Sequence, residues 1–233
     1  MRLAGGPVSS VLELGAGPAR HACEFARRGA AATALDALPS MCDYAAERAR
    51  REGLSLLSVS ADMCDFELAE TFDLALLLMD SISYLLDNDA VIRHLDCVAR
   101  HLREGGLYVV DMCHPRDVFG VGWSTNSQWT SESDEWRVEM RWGAAGDAFD
   151  PVTQIDEVTV SMDWSGPEGS GQLVEVAQQR RFTANEIDAL VRASGHFEVV
   201  ERLGSLAPVV PFGNERTARR MVMVLRKRTR SRD

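Results

Sequence analysis

The most informative pattern in this sequence is a carboxylate followed by two spaced glycines. Glu13, Gly15 and Gly17 occur in a stretch that reads VLELGAGPARH from residue 11. An apolar run before such glycines and an amphipathic run after them predict a strand, a tight turn and a helix. A turn of this kind allows a ligand to approach the backbone closely at the N-terminal end of a helix.

The charges around this turn help to choose between two classes of ligand. A dinucleotide fingerprint requires a third glycine where this chain has Arg20, and it would bring a pyrophosphate close to the negative charge of Glu13. S-adenosylmethionine carries no phosphate. Its ammonium suits a carboxylate such as Glu13, and its own carboxylate suits a helix N-terminus. The turn therefore favours the sulfonium cofactor over a nicotinamide dinucleotide.

Further polar groups follow the next predicted strands in order. Asp36 ends the second strand, where a carboxylate can accept both hydroxyls of a ribose. Asp62 and Met63 follow the third strand, where the carboxylate can accept an adenine amino group and the thioether can lie on the ring. Met79 and Asp80 end the fourth strand, at the edge where open α/β sheets bind ligands.

The elements that must position these groups alternate regularly along the first half of the chain. Predicted strands occupy residues 11–14, 32–35, 54–59, 72–79 and 107–112, and predicted helices occupy 19–28, 39–52 and 88–102. Glycines 105 and 106 are interpreted as the stop signal of the third helix. Strands separated by helices predict an α/β fold, with a doubly wound, mostly parallel sheet and helices on both faces. Helix and strand return at 183–194, 197–202 and 221–225.

The alternation stops over residues 118–181. This segment carries all five tryptophans and shows period-two runs at 136–140 and 157–161, which predict an antiparallel sheet with one wet face. Glycines at 143–146 and 166–171 predict its turns. We therefore expect a main domain formed by 1–117 and 182–233, with an inserted β subdomain at 118–181. Its acidic residues fit a wet sheet face, a lid for a cationic substrate, or a dimerisation surface.

Composition limits the partners of the protein. The net charge of −10 in 233 residues argues against a nucleic-acid partner, although basic residues crowd the last fifteen positions. The longest apolar run, 74–79, is too short for a membrane helix, and no signal-peptide pattern occurs.

Five scattered cysteines without a CxxC pair predict reduced thiols in a cytoplasmic protein. His94 and His101 share one helix face, which we expect to be solvated, and no metal site is expected.

Residues 8–113 resemble the class I S-adenosylmethionine-dependent methyltransferases, whose first motif is a carboxylate followed by spaced glycines. The resemblance extends to ALDALPSMCDYA, SADMCDF, FDLALLLMDSISYLLD and HLREGGLYVVDM. The third of these segments is similar to a subgroup of small-molecule enzymes that carry Asp-Ser-x-x-Tyr-Leu and often insert an antiparallel sheet after strand five. The resemblance implies a seven-stranded Rossmann-like sheet of order 3-2-1-4-5-7-6, with strand seven antiparallel. Ala19 departs from the family, which often has a third glycine there.

By this resemblance the chain is an enzyme that uses S-adenosyl-L-methionine. The residues expected to bind this cofactor are Glu13, Gly15, Ala16, Gly17, Asp36, Ala37, Met41, Asp62, Met63 and Met79. The first motif of this chain begins at about residue 10, whereas members of the family usually carry a longer segment before it. This difference leaves open a second interpretation, in which the chain is a cofactor-binding or interaction module without turnover.

Methyl transfer from a sulfonium is an in-line displacement, so the protein must mainly align the nucleophile, the methyl group and the sulfur. A base is needed only when the nucleophile arrives protonated. The candidates near the sheet edge are Asp80, Tyr84 and His114. The Asn-Pro-Pro-Tyr element of nucleobase methylases is absent, because the sequence from residue 80 reads DSIS. We therefore expect a small-molecule acceptor, an amine or a hydroxyl, and leave a homodimer open.

Overall fold

The computed structural model describes residues 6–119 and 126–229 of the chain. In these residues the strands are, in chain order, β1 (Ser10–Leu14), β2 (Ala31–Asp36), β3 (Leu56–Ser60), β4 (Phe72–Leu77), β5 (Leu102–Cys113), β6 (Ser127–Glu132), β7 (Arg137–Trp142), β8 (Phe149–Asp150), β9 (Ile155–Gly166), β10 (Gly169–Arg180), β11 (Phe197–Leu206), β12 (Val209–Pro211) and β13 (Arg220–Lys227). The helices are α1 (Arg20–Arg27), α2 (Pro39–Arg51), α3 (Asn88–His101), α4 (Pro115–Val118) and α5 (Ala184–Ser194).

The chain divides into two compact units. The first comprises the described parts of Met1–Ile82, Asp87–His114 and Thr183–Asp233, and the second comprises Ser83–Leu86 and Pro115–Phe182. Residues 120–125 of the predicted insertion, with one of its tryptophans, lie outside the described residues, as do basic residues 230 and 232.

The first unit is built on one sheet with the strand order β12-β11-β13-β5-β4-β1-β2-β3. Strands β1 to β5 pair in parallel, and β13 runs antiparallel to both β5 and β11. With β11 and β13 as the sixth and seventh strands, this confirms the expected α/β fold and the order 3-2-1-4-5-7-6. The expected count of seven is corrected to eight, because β12 turns back onto the outer edge of β11.

Local sequence explains where most of the elements begin. β1 is buried along its whole length, as expected for a continuous apolar strand covered on both faces. Pro39 opens α2, where its missing N–H has no intrahelical partner to lose. Thr183 and Glu186 form a reciprocal capping box at the start of α5.

The stop signal predicted for the third helix is corrected. Helix α3 ends at His101, and the chain is already in strand β5 when it reaches Gly105. Gly105 has a φ of +74°, and the register between β4 and β5 shifts between Phe72 and Leu74. The glycine therefore serves an irregularity within the strand, where its left-handed conformation is tolerated, and does not cap the helix.

The second unit contains an antiparallel sheet of order β10-β9-β7-β6, with β8 paired to β9. This confirms the antiparallel sheet expected after the fifth strand. Aromatic rings lie close over two of its glycines: a Cβ atom at Gly166 would come within 2.4 Å of the Trp136 ring, and one at Gly171 within 2.2 Å of Trp164. The proposed roles of this insertion, as a lid or a dimerisation surface, stay predictions.

Candidate functional site

The glycine turn after β1 has two positions that require glycine for different reasons. Gly15 and Gly17 have φ values of +54° and +49°, which side chains rarely adopt. A Cβ at Gly15 would lie 3.2 Å from the side chain of Ser81, so this glycine is packed beneath the end of β4. At Gly17 a Cβ would meet no heavy atom of the described residues within 4 Å. The backbone of Gly17 thus borders space that a ligand can enter.

Glu13 anchors helix α1 to strand β1. Its side chain is only 4% exposed, and its Oε2 accepts a hydrogen bond of 2.7 Å from the backbone N–H of Ala22. Its Oε1 lies 2.7 Å from Nδ1 of His21, and this bond raises the pKa of His21 against the opposing effect of burial. Sequence reasoning missed His21, because the pairing spans the turn. A carboxylate oxygen can accept more than one hydrogen bond, so a contact from Glu13 to the cofactor ammonium stays a prediction.

Asp36 connects the end of β2 to the glycine turn. Its Oδ2 accepts a hydrogen bond of 2.7 Å from the N–H of Gly17, and its Oδ1 accepts one of 2.9 Å from the N–H of Leu38. The N–H of Ala16 also bonds to the carbonyl of Leu35 at 3.0 Å. The structure therefore brings the predicted ribose carboxylate directly against the predicted methionine-binding turn. Ala37 is exposed beside it.

The predicted adenine residues lie beyond Asp36 along the same edge. The N–H of Ala61 donates to the carbonyl of Asp36 at 3.0 Å, which places the end of β3 beside the end of β2. Asp62 is exposed, and its Oδ1 accepts a hydrogen bond of 2.7 Å from the N–H of Cys64. Met63 is half-buried. Met41, the remaining predicted contact on this side, is exposed on α2.

The other side of the turn is formed by the end of β4. Met79 and Asp80 both have positive φ, +58° and +67°, which is costly for residues with side chains and often marks functional sites. The N–H of Met79 donates to Oδ2 of Asp111 at 3.2 Å. Oδ1 of Asp80 accepts a hydrogen bond of 2.8 Å from the N–H of Cys113. Asp80 is thus held at the carboxyl edge, between β4 and β5.

An ion pair at this edge was not foreseen from the sequence. Nε of Arg220 lies 2.7 Å from Oδ1 of Asp111, because the antiparallel strand β13 begins where β5 ends. Burial alone would lower the pKa of Arg220, but the hydrogen bond and charge of Asp111 outweigh it and raise the pKa. In the sequence Arg220 is one of the basic residues that crowd the last fifteen positions. No local signal could link residues so far apart in the chain.

The remaining two catalytic candidates have different surroundings. His114 is only 4% exposed; its Nε2 lies 2.9 Å from the carbonyl of Gly213, and its ring packs on Phe212. Tyr84 is exposed and belongs to the second unit, at the end of a short 3-10 helix, Ser81–Tyr84. The structure brings Asp80 to the neighbourhood of His114 through Cys113. The roles of His114 and Tyr84 stay predictions.

Two further properties of the described residues bear on the class of site. Within residues 6–119 and 126–229, no group of three or more His, Cys, Asp or Glu residues could hold a metal ion. In the same described residues, no helix is both long and apolar enough to cross a membrane.

Comparison of the sequence with protein families matches residues 11–106 to a family described as a methyltransferase domain. A protein of Geobacillus sp. (strain WCH70), whose name assigns it to the methyltransferases, is 26% identical over 102 residues. That alignment covers 44% of this chain and 41% of the relative, so the matching region spans less than half of the relative's length.

Solved structures share the fold over nearly the whole chain. An S-adenosylmethionine-dependent methyltransferase from Clostridium acetobutylicum ATCC 824 has a TM-score of 0.80 at 18% identity, covering 97% of this chain and 87% of that one. An amino pentose methyltransferase from Micromonospora echinaspora, with S-adenosylmethionine bound, has a TM-score of 0.70 at 22% identity, covering 98% and 86%. A sugar N-methyltransferase from Streptoalloteichus sp. ATCC 53650 has a TM-score of 0.69 at 24% identity, covering 95% and 81%.

The family match extends from the glycine turn to the start of β5, and the neighbours share the sheet around it. These findings show that residues 11–106 match a methyltransferase domain and that the chain has the fold of S-adenosylmethionine-dependent methyltransferases.

Proposed function

We propose that this protein transfers a methyl group from S-adenosylmethionine to a small-molecule acceptor, an amine in the first place and a hydroxyl in the second. The observation that carries the proposal is the hydrogen bond that the N–H of Gly17 donates to Asp36, which joins a ribose-type carboxylate to a glycine turn bordering open space. The bound cofactor supplies a methyl carbon activated by the sulfonium.

The residues of the chain fit each part of this cofactor. The backbone at Gly15 and Gly17 would hold the methionine portion, and Asp36 would accept the ribose hydroxyls. Asp62 and Met63 would receive the adenine ring. Both oxygens of Asp36 already accept backbone N–H groups, so the carboxylate is oriented before the ligand arrives, which lowers the cost of ordering it on binding.

The acceptor side favours an amine on electrostatic grounds. Asp80 and Asp111 lie at the ends of β4 and β5, and Arg220 pairs with Asp111. The N–H of Cys113 holds Asp80, so this second carboxylate also has a fixed position at the edge. An amine nitrogen becomes positive as its bond to the methyl carbon forms, and a nearby carboxylate held in place stabilises that charge.

The neighbours support the same class of acceptor. The solved structures that share the fold include an amino pentose methyltransferase and a sugar N-methyltransferase, both named for small polar acceptors. We therefore propose a polar metabolite that carries an amine. Tyr84 and His114 are kept as candidates for acceptor contact and proton transfer.

Two measurements test the proposal. Calorimetry with S-adenosylmethionine, S-adenosylhomocysteine and NAD should show binding of the two sulfur ligands and none of NAD. Transfer of a labelled methyl group to a panel of amines, phenols and carboxylic acids should then label the amines first. Binding of NAD in their place would overturn the cofactor assignment. Binding without transfer to any acceptor would favour the interpretation as a module without turnover.

A further inference from the structure

The loop after β3 is held from one face of helix α3. We call residues 61–68 the adenine loop, because they contain the proposed adenine residues. The residues that hold it, His94, Cys97 and His101, are spaced by three and four along α3 and so lie on one helix face. Both histidines are buried, at 0% and 3% exposure, so the expectation of a solvated face is wrong. Helix periodicity identified the shared face but could not show that the adenine loop covers it.

His94 connects this loop to the centre of the sheet. Its Nδ1 lies 2.9 Å from the carbonyl oxygen of Met63, and its Nε2 lies 2.7 Å from the hydroxyl of Tyr108. A carbonyl can only accept, so Nδ1 must carry the proton and Nε2 must accept from the phenol. Burial lowers the pKa of His94 to about 4 and raises the pKa of Tyr108 well above its usual value, which keeps both groups neutral.

His101 and Cys97 hold the other end of the loop. The N–H of Leu68 donates to Nε2 of His101 at 3.0 Å, and Nδ1 of the same ring lies 2.8 Å from the carbonyl of Cys97. The N–H of Phe66 points to Sγ of Cys97 at 3.4 Å, and the Phe66 ring stacks on His101 with the ring centroids 4.4 Å apart. Backbone groups at both ends of the loop are therefore satisfied by side chains of one helix.

Packing alone does not account for these histidines. An apolar side chain would fill a buried position on α3 without the desolvation cost of an imidazole. What the imidazole adds is directional hydrogen bonding, and both rings direct it at the backbone of the adenine loop. The bond from His94 reaches Met63 itself, the residue next to Asp62.

We propose that His94 and His101 are positioning residues that hold Asp62 and Met63 in place for the adenine ring, so that the base selectivity of the cofactor site depends on them. The inference rests on the proposed function, in which Asp62 accepts the adenine amino group. Fixing the loop in advance spares the ligand the cost of ordering it.

The experiment compares two ligands on wild-type protein and matched variants. The ligands are S-adenosylhomocysteine and its analogue in which hydrogen replaces the adenine amino group. Wild-type protein should prefer the amino ligand by about tenfold, the value of a hydrogen bond to a charged acceptor. His94→Asn keeps an N–H group in the position of Nδ1, whereas His94→Gln places its amide in the position of Nε2. Both variants bury a carboxamide group, so we expect them to change the stability of the fold to a similar extent.

We expect His94→Asn to keep most of the tenfold preference and His94→Gln to reduce it to about threefold or less. His101→Gln retains an acceptor for the N–H of Leu68 and should resemble wild type, whereas His101→Leu should lose selectivity. Equal preference in the two His94 variants would overturn the inference, because a merely structural role changes the affinity for both ligands by one factor. Wild-type protein that binds neither ligand would overturn the proposed function itself, and with it this inference.

Discussion

Removing the carboxylate of Asp36 should weaken both cofactor binding and the attachment of the glycine turn. In the structure its Oδ2 and Oδ1 accept hydrogen bonds from the N–H groups of Gly17 and Leu38 at 2.7 and 2.9 Å. In the complex we propose that the same group also accepts the ribose hydroxyls. Asp36→Ala therefore loses contacts with the ligand and also releases the glycine turn.

The magnitude follows from the kinds of bond that are lost. A hydrogen bond to a charged group contributes about 1.5–3 kcal/mol, and part of that is recovered when water replaces the ligand in a half-buried site. We expect S-adenosylhomocysteine to bind about 1–3 kcal/mol more weakly, a factor of about 5–150 in Kd. Loss of the two backbone bonds should lower the free energy of unfolding by about 1–2 kcal/mol.

Asp36→Asn is a strict test of these hydrogen bonds, although the substitution changes the side chain very little. Both oxygens of Asp36 accept from backbone N–H groups, so an amide nitrogen in either place would face another donor. We expect Asp36→Asn to weaken binding as much as Asp36→Ala, although it preserves the shape of the side chain.

Calorimetry with S-adenosylhomocysteine measures the affinity, and thermal denaturation shows whether each variant is folded. Asp43→Ala is the matched control, because it removes the same charge from an exposed position on α2. Its affinity should equal that of wild type. A folded Asp36→Ala protein with unchanged affinity would refute the placement of the ribose.

Three further predictions concern the same unit. Gly17→Val should abolish cofactor binding in a folded protein, because the side chain would enter the space beside the turn and cost about 1–2 kcal/mol at its positive φ; calorimetry and circular dichroism measure the two effects. His21 has a raised pKa, so its bond to Glu13 adds stability below pH 6.5 that is lost as the pH rises through the folded-state value. Denaturation at about pH 5.5 and about pH 8.5 should therefore show a larger stability deficit for His21→Gln at the lower pH, and an equal deficit at both would contradict this. Arg220→Met should destabilise the protein by about 1–3 kcal/mol, because Asp111 loses its positively charged partner, and the double variant with Asp111→Asn should recover part of that loss in a thermodynamic cycle.

The sequence by itself was enough to predict the parts of the site that depend on neighbours along the chain. Glu13, Gly15 and Gly17 predicted a strand, turn and ligand approach, and the structure has positive φ at both glycines. Asp36 could be predicted at the end of β2 because strand ends follow from the limits of an apolar run. In a parallel sheet the carboxyl ends of the strands meet at one edge, so groups that follow successive strands are brought together at one site.

Tertiary structure decided the features that depend on which segment covers a helix face and which distant strand joins the sheet. The faces of α3 were evident from periodicity, but periodicity does not tell whether water or the adenine loop lies over His94 and His101. Gly105 was misread because a left-handed glycine serves a strand irregularity as well as a helix cap, and only pairing with β4 distinguishes the two. The pair of Arg220 and Asp111 forms because β13 enters the sheet antiparallel beside β5. Hydrogen bonding between distant strands sets that register, so local sequence patterns do not predict it.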